Sequence, residues 1–327
     1  MRPGIAIIWN EEDQPHHANE HENVAVISVK YAVSAVEQAL AELGFQPLLI
    51  PLSRPIEDAI KVIHVIKSPL VFNLFEGFGG LPETEIEAAQ ALIYLGVPYT
   101  GNPPAVLRLC LDKVQAKERF NKFEIPTPAF QVFSSCFLKD FNLKFPVIAK
   151  PSREDASHGI YADNVANNII ALESVIRRLL TTSKSPVLVE EYIDGKEFNA
   201  TVLGGHVLPI SEIVYSLPSE LPHILTFESK WDPESIYFKN TQVICPARIS
   251  PTDEKKIKEL AIGAFKACGC KGYARVDIRQ DSDGNYYVLE INPNPDISPD
   301  AGCARQASAA GLTYTELIKI IIEQALD

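Results

Sequence analysis

The sequence predicts an α/β protein built in three lobes, the first of them a doubly wound parallel sheet. Three observations carry this. Through residue 100, apolar strand-like runs alternate with helical stretches. Pro103-Pro104 then ends the alternation. Near the C-terminus, residues 273–279 and 286–291 read as two strands joined by a tight turn at Asp283-Gly284, an antiparallel hairpin. A chain of 327 residues has room for two or three compact units. The expected boundaries are 1–103 for the N-terminal α/β lobe, 104–190 for a small middle lobe and 191–327 for a large C-terminal lobe.

In the first lobe, GIAIIWN (4–10) is a continuous apolar run, and 24–44 is an amphipathic helix stopped by Gly44. Strands follow at 47–52, 70–75 and 97–100, with helices at 56–67 and 83–95, the latter closed by Gly96. This order implies a parallel sheet covered on both faces, with ligands outside the strands' carboxyl ends. Two loops lie there. Residues 10–23 carry Glu11, Glu12, Asp13, Glu20 and Glu22 with His16, His17 and His21, and residues 76–82 read EGFGGLP. His17 and His21 have helical i, i+4 spacing, but nothing else in the loop has a zinc pattern, so they are read as polar loop histidines. The glycines do not form GxGxxG, so a dinucleotide fold is not supported. Backbone amides near Gly77, Gly79 and Gly80 are placed to meet a carboxylate or phosphate.

Beyond the prolines, a helix is expected at 111–123, then strands at 129–133 and 145–149, the second running into Lys150-Pro151. SREDASHG (152–159) is small, polar and glycine-ended, as a flexible loop is. A helix at 165–180 leads to strands at 186–193, 197–204 and 207–215. The weakly patterned stretch 216–242 holds Lys230 and Trp231. Helices at 251–268, 301–310 and 314–325 surround the hairpin.

Composition narrows the function. A formal charge of −12 argues against a nucleic-acid partner, which needs clustered Lys and Arg. No apolar run is long enough to span a bilayer, and a strand follows Met1 at once, so a cytoplasmic protein is expected. The six cysteines have no Cys-x-x-Cys spacing, which fits reduced thiols and no zinc site.

In the hairpin, alternation puts Arg275 and Asp277 on one face, and sets Glu290 and Asn292 against Leu289 and Ile291. If Asp277, Glu290 and Asn292 look inward, three hard oxygen ligands converge, suited to Mg²⁺ shared with phosphates. Arg275 would then lie beside the metal, able to neutralise a developing oxyanion. A surface hairpin wetted on its polar face fits the same pattern. The Asn-Pro-Asn-Pro that follows favours the first reading, because two prolines after a buried strand fix an exit loop.

Lys113, Lys150 and Lys230 each stand at an element end or in a loop, which fits three separate phosphate contacts better than one basic patch. Each also fits a solvated surface. Lys150 is distinguished by the loop behind it, whose amides could wrap a triphosphate, although a Walker motif is absent. In VLVEEYIDGKEF (187–198), Glu190-Glu191-Tyr192-Ile193 offers backbone groups and an aromatic to a purine, and Glu197 could accept from ribose hydroxyls. A strand leaving the core with solvated acids fits that pattern equally.

These pieces occur together in one family. From Val71 onward the chain resembles the ATP-grasp ligases, most closely the D-alanine–D-alanine ligase group. The matching segments are VPYTGNP (97–103), DK (112–113), FPVIAKPSRE (145–154), VLVEEYIDGKEF, GCKGYARVDIRQDSDGNYYVLEIN (269–292) and the terminal helices. The resemblance implies a three-lobed ATP-grasp fold and an ADP-releasing ligase that joins a carboxylate to an amine through an acyl phosphate. It makes Lys113 and Lys150 phosphate ligands, with Lys230 on the γ-phosphate. Glu190, Glu191 and Ile193 would line the adenine edge, Leu289 would floor the base, and Glu197 would bind ribose. Asp277, Glu290 and Asn292 would hold two Mg²⁺, with Mn²⁺ as a substitute, and Arg275 would stabilise the intermediate. The expected partners are small-molecule carboxylates and amines and a second copy in a homodimer, with neither nucleic acid nor membrane.

The departures cluster elsewhere. The family's SREGSSVG is SREDASHG here, with Ala156 in place of the first serine of the pair and Ser157 at the second. Its lysine-tyrosine pair is Lys230-Trp231, a glycine after its asparagine-x-x-proline run is Asp296, and the histidine of its HGxxGEDG segment is replaced by Glu76. Glu20 and Glu22 are the candidates for its first-loop glutamate. Nucleotide and metal positions are kept while the amino-acid pocket is rewritten, which implies the same chemistry on a different donor or acceptor. An authentic D-alanine–D-alanine ligase and a nucleotide-binding regulator without catalysis are the alternatives.

Overall fold

The structure, a computed structural model, describes residues 3–11, 20–79, 81–154, 159–183 and 185–326. For residues 20–28 and 231 it describes the backbone alone. The N-terminal part runs β1 (Gly4–Asn10), α1 (Glu20–Glu42), β2 (Gln46–Leu52), α2 (Ile56–His64), β3 (Val71–Leu74) and α3 (Glu83–Leu95). Its sheet has the order β2-β1-β3 and is parallel, as the apolar runs predict. Alternation along β1 sends Ile5 and Ile7 into one core, with Val36 and Leu40 of α1, and Ala6 and Ile8 into another, with Ile63 and Leu92. Each of these Ile, Val and Leu side chains, fully buried, is worth roughly 1.5–3 kcal/mol. The strand expected at 97–100 is reduced to a single bridge between Val71 and Tyr99. Pro98 lacks the donor that a longer ladder needs there.

The middle part contains α4 (Pro104–Leu111), α5 (Lys113–Lys122), β4 (Phe130–Phe133), β5 (Val147–Pro151), β6 (Val165–Ala166), α6 (Ile169–Thr182) and β7 (Val187–Glu191). The strands form a sheet of order β4-β7-β5-β6, backed by Leu172, Ile176 and Leu179 of α6. The helix expected at 111–123 is α5, and a further helix, α4, precedes it. Pro104 starts α4 at its first turn, where a missing N–H costs nothing. Asp112 starts α5 as an N-cap, accepting from Val114 N at 3.1 Å and Gln115 N at 3.2 Å.

The large sheet has the order β11-β10-β8-β12-β13, with β9 on β8. It is made by β8 (Glu197–Leu203), β9 (His206–Val207), β10 (Ser211–Tyr215), β11 (Thr241–Ile244), β12 (Tyr273–Gln280) and β13 (Tyr286–Asn292). The weakly patterned stretch also holds two four-residue helices, α7 (Glu228–Trp231) and α8 (Ile236–Lys239). Helix α9 (Pro251–Cys268) covers one face of the sheet through Ile257 and Ala261, which meet Val276, Ile278, Val288 and Ile291. Helices α10 (Gly302–Ala309) and α11 (Tyr314–Leu326) close the chain. Leu317 and Ile321 of α11 join the core of β1 and α1, so the chain's end braces its beginning. The hairpin turn is closed by Asp281, which accepts from the amides of Asp283 and Asn285 at 3.0 and 2.8 Å, and only Gly284 in that turn has positive φ.

Candidate active site

With the apolar face of the hairpin locked against α9, its polar face is fixed by register. Arg275 pairs with Asn292, Asp277 with Glu290, and β8 sets Asn199 opposite Asp277. Arg275 grips Asp277 with Nε to Oδ1 at 2.7 Å and Nη2 to Oδ2 at 2.8 Å, while Asn199 Nδ2 donates to Oδ1 at 2.7 Å. Burial pushes the Asp277 carboxyl above its usual range, with Arg275 opposing. Burial would also raise Glu290, but Lys113, Lys150, Arg275 and Lys230 outweigh it and hold that carboxyl below its usual range. Glu290 is 39% exposed, with Lys113 Nζ 3.8 Å from its Oε2. Asn292 Oδ1 accepts from Asn294 N at 2.9 Å.

Among the described residues no three His, Cys, Asp or Glu side chains gather as a metal cage. Two carboxylates and an amide on one rigid hairpin are the donor set of a hard cation that takes its remaining oxygens from phosphates and water. These residues fit Mg²⁺ in that manner.

The lysines converge on the same cleft from other elements. The α5 N-terminus is tied to the stretch after β5: Lys113 N donates to Ser152 O at 2.9 Å, Lys113 Nζ to the Glu154 carbonyl, and Arg153 Nε to Asp112 Oδ2 at 3.0 Å. Lys150 at the end of β5 pairs with Glu190 of β7 through Oε1. Lys117, one turn after Lys113 on α5, sits 2.7 Å from Glu190 Oε2, and both are 1% exposed. Burial opposes ionisation of Glu190, but the two lysines hold its carboxyl down at about 2. Burial also lowers Lys117 and Lys230 below the usual lysine range. Glu191, Ile193 and Leu289 are half-buried. Glu197 is buried, its Oε2 accepting from Tyr215 OH at 2.6 Å and Arg279 Nη2 at 2.5 Å. The turn between β7 and β8 must carry glycine at 195, since a Cβ there would stand 2.0 Å from Gln280 O.

The third group lies at the carboxyl end of the first sheet. Asn10, ending β1, accepts from Glu76 N at 3.0 Å and donates to the Gly77 carbonyl, and Arg54 Nη2 donates to Gly79 O at 2.6 Å. The Asn-Pro-Asn-Pro loop comes to the same place. Asn102 Nδ2 donates to Pro293 O at 2.6 Å, and Asn294 Nδ2 to Glu85 Oε1 at 2.8 Å. Asp296 Oδ1 accepts from Ser298 N at 2.7 Å and Ser298 Oγ at 2.6 Å, bracing its own loop and not capping α10. Glu76 and Asp296 line one cavity of about 10 Å³ with Ala32, Leu74 and Tyr273. Desolvation, joined by Asp296, pushes the Glu76 carboxyl up to about 7.

Glu20 and Glu22 lie on the backbone of α1, four residues earlier than the helix expected from the sequence. Their side chains, that of Trp231, and the whole of Ser157 lie outside the described residues. Lys117 and Arg279 were missed in the sequence. Lys117 carries a signal, because i, i+4 spacing puts it on the helical face of Lys113. Arg279 continues the alternation of Arg275 and Asp277.

The family model for the D-ala D-ala ligase C-terminus matches residues 120–323. The chain is 32% identical over 298 residues to the D-alanine--D-alanine ligase of Marinomonas sp. (strain MWYL1), covering 89% of each. It is 34% identical over 262 residues to the uncharacterized protein y4sG of Sinorhizobium fredii, covering 79% of this chain and 75% of the relative. Among solved structures, D-alanine--D-alanine ligase from Bacillus anthracis complexed with ATP superposes with a TM-score of 0.76 at 20% identity, covering 100% of this chain and 97% of that one. The VanG D-Ala:D-Ser ligase from Enterococcus faecalis gives 0.74 at 21%, covering 99% and 100%. The fold is the ATP-grasp fold, and the chain belongs to the D-alanine–D-alanine ligase family of ATP-dependent carboxylate–amine ligases.

Proposed function

We propose that this ligase activates a carboxylate with ATP and joins it to an amine-bearing substrate other than the D-alanyl-D-alanine pair. The observation that carries the substrate class is the Glu76–Asp296 cavity. It brings two carboxylates to a space of about 10 Å³, room for one water- or ammonium-sized group. No hydrogen bond or ion pair engages the Glu76 side chain among the described residues. A cationic group entering there gains roughly a kcal/mol or more from the two charges, and a carboxylate is repelled.

The remaining roles follow from charge. Lys113, Lys150 and Lys230 take the phosphates, with Lys117 holding Glu190 beneath them. Glu190, Glu191, Ile193 and Leu289 border the base, and Glu197 takes the ribose. Asp277, Glu290 and Asn292 hold two Mg²⁺, which supply charge neutralisation for the phosphates when bound. Arg275, bidentate on Asp277, presents a remaining N–H to the oxyanion formed when the amine attacks the acyl phosphate. Ser157 and Trp231 belong to segments that exclude water. Glu20 and Glu22 stand as candidates for the donor's ammonium.

ADP release measured against a panel of amino acids, dipeptides and diamines tests the reading. The expected result is turnover with an amine-bearing or cationic acceptor and poor use of D-alanine alone. A rate on D-alanine alone matching a dedicated ligase would make this an authentic D-alanine–D-alanine ligase and reject the proposed substrate class.

A further inference from the structure

Arg279 is 3% exposed, two residues beyond Asp277 on the same face of β12, and the register sets it opposite Glu197. Its guanidinium reaches three separate segments. Nη2 donates to Glu197 Oε2 at 2.5 Å on β8, Nη1 to the Ile193 carbonyl at 2.9 Å in the turn after β7, and Nη2 also to the His223 carbonyl. Tyr215 OH donates to the same Glu197 oxygen at 2.6 Å. The rings of Tyr192 and Tyr215 lie 5.6 and 5.8 Å from the guanidinium carbon, and Tyr215 stacks on His223 at 5.3 Å. Both donors therefore fall on Oε2. Glu197 Oε1 has no bond from any described residue.

We propose that Arg279 is a positioning residue for the nucleotide's ribose. Together with Tyr215 it holds one oxygen of Glu197 so that the other faces the ribose hydroxyls, and it fixes the Ile193 turn beside the base. This rests on the assignment of Glu197 to the ribose made above. A carboxylate free to rotate would lose its aim, and a side chain held by two donors on one oxygen keeps it. Arg279 itself acts only through Glu197 and the turn. The His223 contact extends the same clamp to the loop that leads into α7 and Lys230.

The test compares ATP, 2′-deoxy-ATP and 3′-deoxy-ATP in steady-state ADP release for the wild type, Arg279→Met, Arg279→Lys and Tyr215→Phe, with thermal melts alongside. The wild type should lose about tenfold or more in kcat/KM when the bonded hydroxyl is removed. Arg279→Met should raise KM for ATP by about tenfold with little change in kcat, and should flatten the discrimination between nucleotides. Arg279→Lys should recover part of it. Tyr215→Phe should move the same ratio in the same direction with a near-normal melt, and it decides the matter if Arg279→Met does not fold. A wild type that uses both deoxynucleotides as well as ATP would remove Glu197 from the ribose, and the proposal with it. A discriminating wild type whose Tyr215→Phe and folded Arg279 variants discriminate equally well would make Arg279 purely structural and overturn the proposal alone.

Discussion

The two ends of the cleft follow opposite electrostatic plans. At the hairpin end, nearly every acid has a cation in place: Arg275 on Asp277, Lys113 near Glu290, Lys117 and Lys150 on Glu190. At the loop end, Glu76 faces Asp296 across a small cavity, and its carboxyl rises where Glu190 falls. Desolvation pushes both carboxyls up, although Glu190 is buried and Glu76 is exposed, so the neighbours decide the sign. Two lysines outweigh it at Glu190, and a second carboxylate adds to it at Glu76. The first end is balanced before any ligand arrives. The second brings two carboxylates to one cavity.

The largest effect should come from breaking the balanced end. Asp277→Ala removes an oxygen donor from the proposed metal site and leaves Arg275 without its bidentate partner. ADP formation should fall on the order of 10³-fold or more, with far-ultraviolet circular dichroism unchanged. Turnover near the wild-type rate in Mg²⁺ would show that Asp277 serves only to hold Arg275.

A smaller effect, on stability, is expected from Lys117→Met. The variant takes one cation from a fully buried carboxylate and leaves Lys150 alone to neutralise it. Losing one partner of a buried pair costs roughly 3 kcal/mol or more. The pH dependence gives a second reading. Glu190 is depressed to about 2 in the folded chain, so its stabilisation is fully present above the unfolded carboxyl's pKa and is lost as pH falls toward 2. Without Lys117 the folded value rises, and acid unfolding should begin at higher pH. Melts followed against pH in both proteins check this, and identical acid transitions would show that Lys150 suffices.

The same contrast explains what could be read from the sequence. The hairpin was legible because strand alternation fixes which side chains share a face. Arg275, Asp277, Glu290 and Asn292 therefore meet once Val276, Ile278 and Ile291 are buried. The parallel N-terminal sheet was legible from the buried apolar runs of β1 and β3, although β2 stays largely exposed. Lys117 was passed over because a lysine on a polar helix is usually solvated, and only β7 brings Glu190 to it. Arg279 stood on the right face, but its partners come from β8, β10 and two loops whose register no local pattern encodes. Asp296 was read as one of the substitutions that rewrite the amino-acid pocket. Its bonds to Ser298, two residues on, are a choice made by loop geometry.

The smallest effect concerns the loop end and turns on Glu76. Its folded carboxyl titrates near 7, above its unfolded value, so the folded chain takes up a proton there as pH falls through neutrality. A cationic acceptor needs the carboxylate, and below pH about 7 it must displace that proton. KM for the amine should therefore rise as pH drops through about 7, by up to tenfold per unit, while kcat for the bound complex changes less. Glu76→Gln should raise KM at high pH and remove the pH dependence. Asp296→Gly should move the onset to lower pH, because Asp296 is the charge that adds to desolvation at Glu76. Stability supplies an independent sign. A carboxyl raised on folding opposes folding once ionised, so Glu76→Gln should melt higher than the wild type at pH 8 and match it near pH 4. If KM of the wild type is flat through neutrality while Glu76→Gln still melts higher at alkaline pH, Glu76 is a raised carboxyl with no part in holding the amine.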